Sequence, residues 1–130
     1  MIKAYFSQLE TIVNEFPTVR SYTLKQKVYN IKQGFISGSI IFDNGYRLDF
    51  MEVKDIDILP KIKYRYQYMH ADLTLIFRYD NAQHHRHIET FPHHKHGPGE
   101  PQACSEPTLF DVLLEIAQYE RAHAVDTDSA

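Results

Sequence analysis

The sequence predicts an α+β fold: an N-terminal helix, an antiparallel β-meander of about five strands, and a C-terminal helix packed on one sheet face. Three observations predict it. Residues 2–16 repeat apolar side chains at helical spacing until Pro17 stops them. Between residues 22 and 80, β-forming runs, several in strict period-two alternation, are separated by turn-forming residues. Beyond residue 107 helical spacing returns, behind a capping signal.

The first helix carries the stripe Ile2, Tyr5/Phe6, Leu9, Ile12/Val13 and Phe16. Tyr22 to Ile31 is rich in β-formers, with Lys25 and Lys27 two apart, and reads as a strand; Phe35 to Phe42 reads as the next. Asp43-Asn44-Gly45-Tyr46 supplies a hairpin turn, since Asn-Gly tolerates the positive φ of a type I′ turn. A two-residue loop sets Phe42 opposite Arg47 and Ile41 opposite Leu48, and Tyr46 to Val53 returns. Glu52 then shares its face with Leu48 and Phe50, an unexpected place for a carboxylate. After Pro60, Lys61 to Met69 alternates, with Tyr64, Tyr66 and Tyr68 on one face and Lys63, Arg65 and Gln67 on the other. A turn at His70-Ala71-Asp72 leads to Leu73 to Asp80, where Leu73, Leu75, Phe77 and Tyr79 share a face; the register of this second hairpin stays open. Residues 81–107 show neither period, which marks a functional or disordered loop. Thr108 with Asp111 forms a capping-box pattern ahead of Leu109, Val112/Leu113, Ile116 and Ala117. The chain thus divides into a single domain over residues 1–122, with a His-rich loop at 81–107, and a flexible tail at 123–130. Helices on one face of the sheet leave the other for a ligand.

A chain of 130 residues, 43% apolar and 24% charged, suits one globular domain. Its apolar runs are far too short for a membrane span, its start lacks signal-peptide character, and its single cysteine, Cys104, forms no internal disulfide. A cytoplasmic protein is expected. The net charge of −3 hides an asymmetry. Residues 61–96 hold six Lys/Arg against three Asp/Glu, whereas residues 97–130 hold one Arg against seven acids. Seven of the eight histidines lie between residues 70 and 96, interleaved with tyrosines and phenylalanines. Cations among aromatics suit a phosphate backbone with stackable bases, and equally suit a strand pair with one aromatic core face and one solvated face.

The histidine-bearing stretch reads Leu75-Ile76-Phe77-Arg78-Tyr79-Asp80-Asn81-Ala82, then His84-His85, then Phe91-Pro92-His93-His94-Lys95-His96. Together with Tyr64-Arg65-Tyr66-Gln67-Tyr68 and the Pro107-Thr108-Leu109 helix start, these blocks resemble the TumE toxin family of toxin–antitoxin modules, over most of the chain. Gln83 stands where the family pattern has proline, and Gly97-Pro98-Gly99 follows the last histidine like an insert. The resemblance implies a cytoplasmic toxin silenced by a separate antitoxin with a helix-turn-helix DNA-binding domain. It does not settle the reaction.

Three chemistries fit the loop. In the first, a small endoribonuclease cleaves RNA without a cofactor, with His84, His85, His93, His94 and His96 as candidate proton donors and acceptors. An unperturbed imidazole titrates at about 6.5, near operating pH. Arg78 neutralises the phosphate and Asp80 orients a histidine or arginine; Tyr64, Arg65, Tyr66, Asn81 and Lys95 hold the substrate. In the second, His85, His94 and His96 ligate a metal, with Asp80 or Glu52 completing the set, although their spacing matches no standard zinc pattern. In the third, the chain only binds RNA or a partner protein. Nucleotidyl transfer finds no Gly-Ser and paired-aspartate pattern and no P-loop. Tyr64, Tyr66 and Tyr68 equally fit a core face. The sequence leaves open whether the chain is a monomer or a homodimer.

Overall fold

A computed structural model describes residues 1–82, 93–99 and 102–124. Helix α1 (Ile2–Glu15) buries Ile2, Phe6, Leu9 and Val13. It ends at Phe16, which is extended because the ring of Pro17 disfavours helical backbone in the residue before it. The meander follows as β1 (Val19–Val28), β2 (Gln33–Phe42), β3 (Arg47–Asp55), β4 (Lys63–Met69) and β5 (Leu75–Asp80). Two short strands, β6 (His94–His96) and β7 (Gln102–Ala103), extend the sheet beyond the five long ones expected, so strand order equals chain order and every pairing is antiparallel. Three residues reading His-Lys-His carry no visible alternation; the unpaired edge of β5, not their propensity, recruits them. Helix α2 (Leu109–Ala122) closes the chain.

Both helices pack on one face. Their apolar stripes form a single core with Ile36, Ile40, Phe42, Leu48, Phe50, Tyr64, Tyr66, Tyr68 and Phe77. Among the described residues, no helix covers the opposite face. No helix among the described residues is long and apolar enough to cross a membrane.

One expected register is corrected, and the one left open is defined. The first hairpin has a three-residue loop, with Ile41 opposite Arg47 and Ile40 opposite Leu48. The Gly45 amide bonds the Phe42 carbonyl at 2.9 Å and Gly45 itself takes φ +83°, a type I turn followed by a left-handed glycine. In the second hairpin Tyr68 pairs with Phe77 and Met69 with Leu75, so Ile76 bulges. Leu75 is thereby displaced from the apolar face and is exposed. Leu73 sits exposed in the turn at φ +71°.

The capping box forms as read: the Thr108 side chain accepts from the Asp111 amide at 3.0 Å, and the Asp111 carboxylate accepts from the Thr108 amide at 2.9 Å. Thr108→Ala is expected to cost about 1 kcal/mol. Thermal unfolding followed by circular dichroism should show a fall of about 3–5 °C; an unchanged midpoint would show that the cap is idle.

Candidate active site

Strand parity decides which side chains share the open face. Asp80 pairs with His94, and Arg78 with His96, so all four project to the side away from the helices. There the Asp80 carboxylate is the hub. His94 Nε2 lies 2.6 Å from its Oδ1 and His96 Nε2 lies 3.2 Å from its Oδ2. Arg78 Nε donates to Oδ2 at 3.0 Å, and the Ala82 amide donates to Oδ1 at 3.1 Å. The two imidazoles meet edge-on, with ring centres 4.5 Å apart. His94 is fully buried and Asp80 is 6% exposed. Two hydrogen bonds, from Arg78 and the Ala82 amide, and two imidazole nitrogens within ion-pair distance compensate the buried carboxylate.

Beside this cluster the open face dips into a depression of about 690 Å³, whose wall includes Lys63, Arg65, Arg78, Asp80 and Asn81. Among the described residues Arg65 and Lys63 make no ion pair. Their charges are available to an anion in the depression.

The other candidates fall elsewhere. His93 has the opposite parity: its ring stacks on Tyr64 at 17°, and its Nδ1 lies 3.0 Å from the Tyr64 hydroxyl. Tyr64 and Tyr66 are buried in the core beneath the helices, and burial drives both hydroxyls well above their ordinary pKa. Lys95 also faces the helices, donating to Glu115 at 2.8 Å. Asn81 clasps two strand ends: its Oδ1 accepts from the Tyr64 amide and its Nδ2 donates to the Ile62 carbonyl. Burial pushes the Cys104 thiol up to about 11. His84 and His85 lie outside the described residues.

Asp80, His94 and His96 each place a ligand atom within 4.8 Å of the others. Glu52 is not part of that group. It lies fully buried on the helix side, accepting from the Tyr5 hydroxyl and, at 2.5 Å, from the Tyr66 hydroxyl. Burial lowers the pKa of nearby Lys61, partly offset by the charges of Glu52 and Glu106, and its ammonium donates to the Pro107 carbonyl at 2.8 Å. This polar knot holds α1, β3, β4 and the lead-in to α2 together. Its only sequence signal is Glu52 at an apolar position.

No curated protein and no solved structure matches the chain. A family model described as Toxin TumE matches residues 9–121, from the middle of α1 to the last turn of α2 and so across every strand of the sheet. With that match spanning most of its length, the chain belongs to the TumE toxin family.

Proposed function

We propose that the chain is the toxin of a toxin–antitoxin module and acts as an endoribonuclease, with its chemistry at Asp80, His94, His96 and Arg78. The observation that carries this reading is the convergence of two imidazoles and a guanidinium on one buried carboxylate, at the edge of a depression walled by further cations. One imidazole takes the proton of a ribose 2′-hydroxyl as its oxygen bonds to phosphorus. The other gives a proton to the 5′-oxygen as the phosphorus–oxygen bond breaks. Arg78 and Arg65 neutralise the crowded phosphate, and Asp80 fixes the orientation of both rings. The products are a 2′,3′-cyclic phosphate and a free 5′-hydroxyl, with no proton or electron left over. The partner in this reading is a helix-turn-helix antitoxin that silences the toxin in the cytoplasm by covering Arg65 and Arg78.

The 4.8 Å grouping of Asp80, His94 and His96 favours a second reading, in which these three hold a divalent transition ion that polarises the phosphate. One experiment separates the two. Single-stranded RNA incubated with the protein in excess EDTA should be cleaved, and mass spectrometry of the fragments should find cyclic phosphate ends. Loss of cleavage in EDTA, restored by zinc or manganese, would establish the metal-assisted reaction. No cleavage in either condition, with growth arrest intact, would remove ribonuclease action.

A further inference from the structure

The strand registers align six side chains in one row across the open face. They are His94 of β6, Asp80 of β5, Arg65 of β4, Met51 of β3, Ser37 of β2 and Lys25 of β1. Neighbouring strands lie about 4.8 Å apart, so Asp80 and Lys25 are separated by about 19 Å. The depression beside Asp80 continues into a second one of about 400 Å³, which reaches Lys25, Ser37 and Phe35; Met51 and Arg65 line both.

The chemistry along this row is cationic. Strand positions of the open face carry Lys25, Lys27, Arg47, Lys63, Arg65 and Arg78 against Asp49, Asp55 and Asp80. Each of those three carboxylates is already engaged. Asp49 accepts from Ser39 and Arg47, Asp55 accepts from Gln33, and Asp80 is the hub described above. Phe35 adds an aromatic. Alternation along β2 turns it away from the core that takes Ile36 and Ile40, so it borders the second depression, on a face that carries no helix among the described residues.

We infer that this row is a track for single-stranded RNA, running from the site at Asp80 toward β1, with Arg65 and Lys25, about 14 Å apart across three strand spacings, on backbone phosphates about two nucleotides from each other, and Phe35 beneath an unpaired base. The starting point of the track rests on the ribonuclease reading; the track itself rests on the two depressions and the row. Its length suits about four nucleotides, the lower end for single-strand-binding modules. Stackable, unpaired bases rather than a duplex fit a sheet face with one aromatic platform beside a depression.

The test uses fluorescently labelled oligoribonucleotides of two and of six nucleotides, 2′-O-methylated throughout so that no cleavage occurs. Fluorescence anisotropy should show the longer one binding at least tenfold tighter. In a Lys25→Ala, Phe35→Ala double variant that melts like the parent, this advantage should vanish, and the salt dependence of binding should weaken by about one phosphate contact. Equal affinity for the two lengths would overturn the track, as would a length advantage that survives in the double variant. Preference for a six-base-pair duplex, or for a polyglutamate peptide that loses binding in the same variant, would also overturn it, the latter in favour of an acidic protein partner. Cleavage is read separately on unmodified RNA. A length advantage that depends on Lys25 and Phe35, without any cleavage, supports the track and removes the ribonuclease.

Discussion

Replacing His94 by glutamine is expected to lower RNA cleavage by about 10²- to 10⁴-fold, the usual contribution of a positioned proton-transfer group. Asp80→Asn is expected to fall in the same range, because it loses the charge that aligns both rings and the Arg78 guanidinium. The pair should be strongly non-additive, since the two side chains are in direct contact. Initial rates on a single-stranded RNA measure this, with thermal unfolding run alongside to show that each variant is folded. Induced in cells without a partner, the parent should arrest growth and both variants should not. A folded His94→Gln protein that cleaves at the parental rate would take His94 out of the chemistry.

The largest expected effect on stability is at Glu52. Glu52→Ala strips the acceptor from two tyrosine hydroxyls and a compensating charge from Lys61, whose side chain is 7% exposed. Two tyrosine hydroxyls without an acceptor, and a buried ammonium left with Glu106 as its counter-charge, cost about 3–5 kcal/mol together, which lowers the melting temperature by roughly 10 °C or more for a domain of this size. Glu52→Gln keeps one acceptor and should cost about 1–2 kcal/mol. Urea titration measures both, and a Glu52→Ala protein as stable as the parent would show that the knot is dispensable. The hydroxyl-free variants Tyr5→Phe and Tyr66→Phe serve as internal controls on the same carboxylate.

Much of this fold was legible in the sequence. The stripe ending at Pro17, the alternation of Tyr64, Tyr66 and Tyr68, and the Thr108–Asp111 pair are local signals, and local physics decides them. What was not legible depends on contacts between distant segments. Alternation puts the three tyrosines on one face of β4 without saying which face the helices will cover, so core and base platform looked alike. Asn44-Gly45 announces a turn, yet a single left-handed glycine distinguishes a two-residue loop from a three-residue one and shifts the register by one. The site shows the same limit. Asp80 and the cluster of histidines stood out by composition, but the sorting of His94 and His96 to one face and His93 and Lys95 to the other follows only from the pairing of β6 with β5. Glu52 was visible as an anomaly; that Tyr5 and Tyr66 answer it was not.

The pairing of β6 with β5 also sets a clock. The five long strands are joined by short connections, and each hairpin can close as soon as its second strand is made. β6 must instead close a longer loop, from Asp80 to His94, for only three paired residues. Synthesis runs at about 5–20 residues per second, so Asp80 leaves the ribosome roughly 1–3 s before His94. During that interval the nascent chain has its five long strands but still lacks the His94 and His96 that the proposed reaction requires. Under the proposed mechanism, the order of strands therefore places assembly of the reactive cluster after that of the meander, and a partner that recognised the sheet would meet it first.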